Sequence, residues 1–168
     1  MGELTWNFDP ILVLGYKAHC ISSAIDTGGF KIVENANWDR GMSTSLRKGV
    51  TETPARSTGF MFFLGDMPLV GPSIIREVLK KAEDGASIAA PVFKCRRGFP
   101  VYFNRNWAPQ LIGNVEGDRG ARDLIESNWQ DLSPVFTEDR GVTMDVNEER
   151  DLARIKSYLD EEGLEIGV

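Results

Sequence analysis

Short apolar runs alternate along the chain with polar breaks marked by Gly, and their spacing predicts most of the elements. Ile11 to Gly15 and Lys31 to Glu34 read as short strands. Between them lies a helical stretch from Ala18 to Ile25, ended by Gly28-Gly29. A polar loop at 35–41 leads into a short helix that Ser43 would cap and Gly49 would end. Gly59 to Gly65 is an apolar run bulky on both faces, which predicts a central strand buried from both sides. Asp66 follows it directly, held by a Met67-Pro68 turn. Pro72 to Ala82 sets Ile74, Ile75, Val78 and Leu79 on one face of a helix that opens with Pro.

Farther on, Ser87 to Phe93 and Phe99 to Phe103 predict two strands, and the basic turn at 94–98 makes them a hairpin rather than a crossover. Helical patterns follow at Arg105 to Ile112 and at Arg119 to Asn128. Pro134 to Thr137 and Val142 to Val146 read as strands, and a last helix over Glu148 to Glu161 would turn Leu152, Ile155 and Leu159 inward. This order predicts an α/β fold whose mostly parallel sheet carries an antiparallel hairpin insertion.

A length of 168 residues suits one domain over 1–168. The net charge of −6 argues against a nucleic-acid platform, which would show a basic patch or stripe. An anionic substrate must therefore be met by local Arg or Lys, by a metal, or by backbone N–H groups. Cys20 and Cys95 have no metal-type spacing, and the single histidine, His19, leaves no evident nucleophile-base pair. The opening residues lack the pattern of a signal peptide, and no apolar run nears the ~20 residues of a membrane span. The expectation is a cytoplasmic protein with no membrane and no nucleic-acid partner.

Ligands of open α/β sheets bind at the carboxyl ends of strands, where Asp66 falls. Alone, Asp66 reads as a turn cap. Asp145 ends a second short apolar run, and two such carboxylates can share one hard cation, Mg²⁺, through oxygen ligands. Ser43 and Ser45 read as cap and helix surface, or else Gly41 opens a helix whose first N–H groups face a polar ligand. Asn37 and Trp38 read as a loop anchor or as part of a base pocket. Arg119 and Arg122, one turn apart, either grip a phosphate together or form a salt-bridged helix start with Asp118 and Asp123.

Five stretches in this order carry a family resemblance. They are residues 37–46 (NWDRGMSTSL), 64–70 (LGDMPLV), 97–101 (RGFPV), 117–122 (GDRGAR), and 144–147 (MDVN) followed by Glu149 and Asp151-Leu152. With them the chain resembles the MobA-like nucleotidyltransferases, nearest their molybdenum-cofactor cytidylyltransferase branch. The resemblance implies a Rossmann-like three-layer α/β/α fold that moves CMP or GMP from CTP or GTP to molybdopterin. It implies Mg²⁺, bound with the nucleotide, on Asp66 and Asp145. Nucleotide contacts are implied at Asn37, Gly41, Ser43, Ser45 and Gly65, and acceptor contacts at Arg97, Gly98, Pro100, Asp118, Arg119 and Arg122.

The sequence departs from the family in two places. The family's opening strand and Gly-rich loop, with its Arg and Lys, have no counterpart, so an N-terminally truncated version of the fold is expected. Phe99 also stands where the family often has His. Loss of an opening strand would bare apolar sheet surface. Leu4, Trp6 and Phe8, alternating at strand spacing, would patch it, or a homodimer or a partner chain supplying the opening unit would cover it. Two other functions stay open, a catalytically inactive binding or regulatory relative and a sugar- or polyol-phosphate nucleotidyltransferase.

Overall fold

The computed structural model describes residues 8–163, so the expected strand positions Leu4 and Trp6 lie outside the described residues. Its strands are β1 (Ile11–Leu14), β2 (Lys31–Glu34), β3 (Gly59–Phe62), β4 (Ile88–Phe93), β5 (Arg96–Arg97), β6 (Val101–Asn104) and β7 (Leu132–Phe136). Its helices are α1 (Ala18–Ala24), α2 (Met42–Glu52), α3 (Pro72–Glu83), α4 (Ala108–Gly113), α5 (Arg122–Ser127) and α6 (Glu149–Glu162). The chain divides into two compact units, Met1–Phe60 with Arg105–Gln130, and Met61–Asn104 with Asp131–Val168.

In the first unit β1 and β2 pair in parallel from Ile11↔Lys31 to Leu14↔Glu34, and α1 supplies the crossover that a parallel pair requires. None of the α1 residues is buried. Ile21, Ile25, Phe30 and Ile32 all remain well exposed around this pair. The next helix, α2, packs against β1 and α4. Gly49 does not end α2 as the sequence pattern had it. It lies inside the helix, where a Cβ would stand 3.4 Å from Val13 Cγ2, an ordinary contact, and the helix continues to Glu52. Glu52 then pairs with Lys48 at 3.3 Å and with Lys31 at 2.8 Å.

The second unit is built on β4, whose IAAPV run is buried throughout. Along one edge β7 runs parallel, from Ile88↔Leu132 to Val92↔Phe136. The other edge is shared by β6, antiparallel at Ile88↔Phe103, and β5, antiparallel at Phe93↔Arg96, so the expected hairpin is present. Pro91 lies where that edge passes from one strand to the other, and its carbonyl accepts from Gly98 N at 2.8 Å. A proline is tolerated there because its missing N–H faces the gap in the ladder. Helix α3 covers the sheet with Ile74 and Val78, packed among Ala89, Tyr102, Val135 and Val142.

Four expectations fail here for physical reasons. The Gly59–Gly65 run forms a strand only to Phe62 and stands at the end of its sheet beside β6, with Phe63 half exposed, because the chain leaves the sheet for the turn at Gly65-Asp66. Val142–Val146 is no strand, since Asp139 Oδ1 accepts from Gly141 N at 2.7 Å and winds Arg140–Thr143 into a 3-10 turn. Ser43 does not cap α2; Gly41 occupies the cap position and Ser43 is buried as the second residue of the helix. Leu152 is 47% exposed because it sits in the first turn of α6, ahead of the Met144, Ile155, Tyr158 and Leu159 cluster. Among the described residues, no helix is long and apolar enough to cross a membrane.

Candidate functional site

In the second unit the chain leaves β3 and turns at Gly65-Asp66, leaving both residues exposed. Asp66 caps nothing, since α3 opens at Gly71 without a side-chain cap, and its carboxylate has no hydrogen bond or ion pair among the described residues. Its carbonyl accepts from Val146 N at 2.8 Å, which ties the Asp66 turn to the Asp145-Val146 segment. The structure therefore joins, through the backbone, the two segments that carry the predicted metal carboxylates. The Asp145 carboxylate is half exposed, accepts from Asn147 Nδ2 at 2.8 Å and lies 3.7 Å from the Arg154 guanidinium.

Asp151, absent from the predicted site residues, holds this segment in place. One of its oxygens accepts from the backbone N–H of both Asn147 and Glu148 at 3.0 Å, forming a capping box with Glu148 at the start of α6. Those two N–H groups hold the Asp151 carboxyl below its ordinary value. The spacing Glu148-x-x-Asp151 is the local signal that could have revealed it. Arg154 spans both neighbours, donating to the Asp145 carbonyl at 2.9 Å and lying 3.7 Å from the Asp151 carboxylate.

Two exposed carboxylates on joined segments suit a hard divalent cation that takes one or two carboxylates and fills its other positions with water and substrate oxygens. No cluster of three His, Cys, Asp or Glu that could hold a metal ion exists among the described residues.

Of the predicted acceptor residues in this unit, Gly98 and Pro100 are structural at close quarters. A Cβ on Gly98 would overlap the Val142 carbonyl, which accepts from Phe99 N at 2.9 Å. The Phe99–Pro100 peptide is cis and Pro100 is fully buried. Arg97 lies over the Phe99 ring with 5.8 Å from its guanidinium to the ring centroid.

In the first unit the predicted nucleotide loop is wired by a residue the sequence reading passed over. Asn35, 4% exposed, donates from Nδ2 to Thr44 Oγ1 at 2.8 Å and Ser45 Oγ at 2.9 Å, while its Oδ1 accepts from Asn37 N at 3.0 Å. A buried polar side chain directly after a strand was its available signal. Asn37 and Trp38 remain exposed, with Trp38 against Tyr16 at 5.1 Å between ring centroids.

Asp118 joins this loop from far along the chain. Its Oδ1 accepts from Met42 N at 3.2 Å and so caps α2 across 76 residues. Gly41 permits the approach, since a Cβ there would stand 2.5 Å from the Gly117 carbonyl carbon. Arg119, at the end of the 3-10 turn before α5, is committed to that helix, to Asp123 at 2.5 Å and Glu126 at 2.9 Å, whereas Arg122 makes no ion pair among the described residues. The paired-guanidinium grip is therefore not assembled: one of its two arginines is internally neutralised.

A family model described as the MobA-like NTP transferase domain matches residues 4–133. This chain belongs to that family. The MobA-like chain is 24% identical to nicotine blue oxidoreductase of Paenarthrobacter nicotinovorans over 149 residues, covering 84% of this chain and 72% of that protein. Among solved structures, Rv0371c of Mycobacterium tuberculosis H37Rv superposes with a TM-score of 0.76 at 27% identity, over 90% of this chain and 77% of that one. Rv0371c is also known in complex with manganese, where the TM-score is 0.74 at 26% identity over 88% of this chain and 78% of that one. Molybdopterin-guanine dinucleotide biosynthesis protein A from Archaeoglobus fulgidus shares the fold at a TM-score of 0.61 and 15% identity, over 92% of this chain and 80% of that one. The MobA-like α/β fold expected from the sequence is thus present, with mixed sheets.

Proposed function

We propose that this chain is a nucleotidyltransferase that moves CMP or GMP from CTP or GTP to a phosphorylated acceptor, with molybdopterin the acceptor its family resemblance favours. The observation that carries the reading is the exposed Asp66 carboxylate, free of hydrogen bonds and ion pairs among the described residues, on a residue whose backbone carbonyl accepts from Val146 N at 2.8 Å, next to Asp145. Asp66 and Asp145 are the residues that would hold Mg²⁺. When bound, such a cation neutralises phosphate charge and orients the oxygens that attack and leave.

The chain's own groups supply positioning. Asp151 fixes the Asn147 and Glu148 backbone, and the Asn147 amide orients the Asp145 carboxylate. In the first unit this reading assigns the nucleoside to the Asn37, Gly41 and Ser45 region. Arg122, at the start of α5 and without an ion pair among the described residues, is the better phosphate candidate of the arginine pair, and Arg97 contributes charge from the hairpin. Attack by an acceptor phosphate oxygen on the α-phosphorus, breaking the α–β anhydride bond and releasing pyrophosphate, needs no protein nucleophile, which agrees with a sequence that offers no nucleophile-base pair.

One observation favours a second reading, a binding relative without turnover. The first N–H of α2 is already occupied by Asp118, and Arg119 is already paired, so two of the family's presumed ligand contacts are engaged internally. A relative named as an oxidoreductase also shows that this fold does not fix one reaction.

Calorimetric titration with CTP, GTP and ATP, with Mg²⁺ and with EDTA, tests the proposal. Metal-dependent binding of CTP or GTP, abolished by Asp66→Ala, is the expected result. Nucleotide binding that survives both EDTA and Asp66→Ala refutes the metal site, and binding without turnover on any phosphorylated acceptor supports the second reading.

A further inference from the structure

A second feature of the second unit lies beside Asp145 but belongs to none of the roles above. An open cavity of about 290 Å³ is lined by Lys94, Arg96, Arg140 and Arg154, with Phe93 and Met144 as apolar walls. No acidic side chain lines it among the described residues. Arg154 is compensated by Asp145 and Asp151, each at 3.7 Å. Lys94, Arg96 and Arg140 make no ion pair among the described residues. Three uncompensated cations thus converge on one concavity of a chain whose net charge is −6.

The fold holds these cations there. Lys94 and Cys95 form the two-residue hairpin loop between Phe93 and Arg96, and both have positive φ, 44° and 64°. Positive φ at both central residues marks a type I′ turn, which ordinarily favours Asn-Gly. Here the turn carries a lysine whose ammonium lies 5.2 Å from the Phe93 ring centroid. Successive strand residues point to opposite faces. Arg96 accordingly lines the cavity while Arg97 turns away onto Phe99. Arg140 stacks on Tyr158 with 5.4 Å to the ring centroid, and the Tyr158 hydroxyl is fixed by Asp139 at 2.9 Å. Two of the three free cations are therefore supported by aromatic rings, which limits the freedom they would lose on binding.

We propose that Lys94, Arg96, Arg140 and Arg154 form a receptor for a multiply charged phosphate group of a small molecule. Guanidinium groups bind phosphate oxygens through charge-assisted, often bidentate hydrogen bonds. That the group belongs to the phosphorylated acceptor rests on the nucleotidyltransferase reading; that the cavity takes a phosphate anion does not.

The test uses inorganic pyrophosphate as probe, titrated calorimetrically into the whole chain in EDTA at low salt. The wild type binds, and the double variant Arg96→Gln/Arg140→Gln binds roughly tenfold more weakly or worse. Arg76→Gln, an exposed change on α3 outside the cavity lining, leaves binding unchanged. Both cavity arginines are exposed, and an unchanged thermal midpoint shows that the double variant is folded. Equal binding by the double variant, or equal loss in Arg76→Gln, overturns the proposal. Competition separates the sources of the phosphate. Displacement of pyrophosphate by glycerol 3-phosphate upholds an acceptor-type site, and displacement by metal-free CTP upholds a nucleotide-phosphate site. Displacement by neither, with added salt alone releasing the probe, overturns a specific receptor. Because every arm excludes metal, the cavity can pass while the metal-dependent nucleotide reading fails, and the reverse.

Discussion

Replacing Gly41 with alanine tests the loop around α2 at its tightest point. Gly41 has φ 102° and ψ 168°, a conformation close to Gly-only, and forcing another residue into it costs on the order of 1–3 kcal/mol. The new Cβ would also stand 2.5 Å from Gly117 C, 2.7 Å from Gly117 O and 2.8 Å from Asp118 Oδ1. Two of those atoms are backbone and cannot swing aside, so overpacking adds about 1–3 kcal/mol. The sum is roughly 2–6 kcal/mol against the usual ~5–15 kcal/mol of folding stability, so the variant should fold but be visibly weakened. With a urea slope of about 2 kcal/mol/M, the unfolding midpoint should fall by roughly 1–3 M, read by far-ultraviolet circular dichroism. Gly113→Ala is the control, since nothing lies within 4 Å of its Cβ position and its φ is not positive. That change should be neutral or stabilise by about 0.4–1 kcal/mol. A shift for Gly41→Ala below about 0.3 M, or an equal loss in the control, would refute the steric argument.

Three further outcomes follow from named groups. Asp151 is held below its ordinary value, so its contribution is complete above the unfolded aspartate range and fades as the pH falls through the lower folded value. Asp151→Asn should therefore melt lower than the wild type near neutral pH, with the gap closing in acid; a gap independent of pH would contradict the capping role. Tyr158→Phe removes the 2.9 Å bond to Asp139 and should cost about 1 kcal/mol by thermal denaturation, at the low end because Asp139 keeps its bond from Gly141 N. Gly98→Ala, with its Cβ forced onto the Val142 carbonyl, should destabilise by about 1–3 kcal/mol in urea, and a wild-type midpoint would show that the hairpin can shift.

Helix α3 was readable because its signals agree: Pro at the start, then Ile74, Val78 and Leu79 buried on one face. Strand β2 matches its expected limits for a similar reason, a short apolar pair between polar flanks. Local pattern failed where a distant group decided the outcome. Val142-Thr143-Met144 has the composition of a strand, yet Asp139 and the close approach of Leu69 to Gly141 turn it into a 3-10 segment. Gly49 looked like a helix stop because nothing in its neighbourhood reveals that β1 passes beneath it. At the candidate site Asp66 and Asp145 were legible as carboxylates at element ends, and their backbone link was not. Asp118 was legible only as an acid near a turn, because its partner Met42 is remote in sequence.

The Met42–Asp118 bond also sets an order of events on the ribosome. The two residues are 76 positions apart, and at a synthesis rate of roughly 5–20 residues per second the acceptor emerges about 4–15 s after its donor. An 11-residue helix is marginal on its own during that interval. The Asn35 amide, bonded to Thr44 and Ser45 within ten residues, is made early enough to hold the nascent loop against α2, as is the bond from the Thr44 hydroxyl to the Asn37 carbonyl. Asn35 is thus the provisional clasp during translation, and Asp118 closes the loop once residues 61–104 have already been threaded out between them.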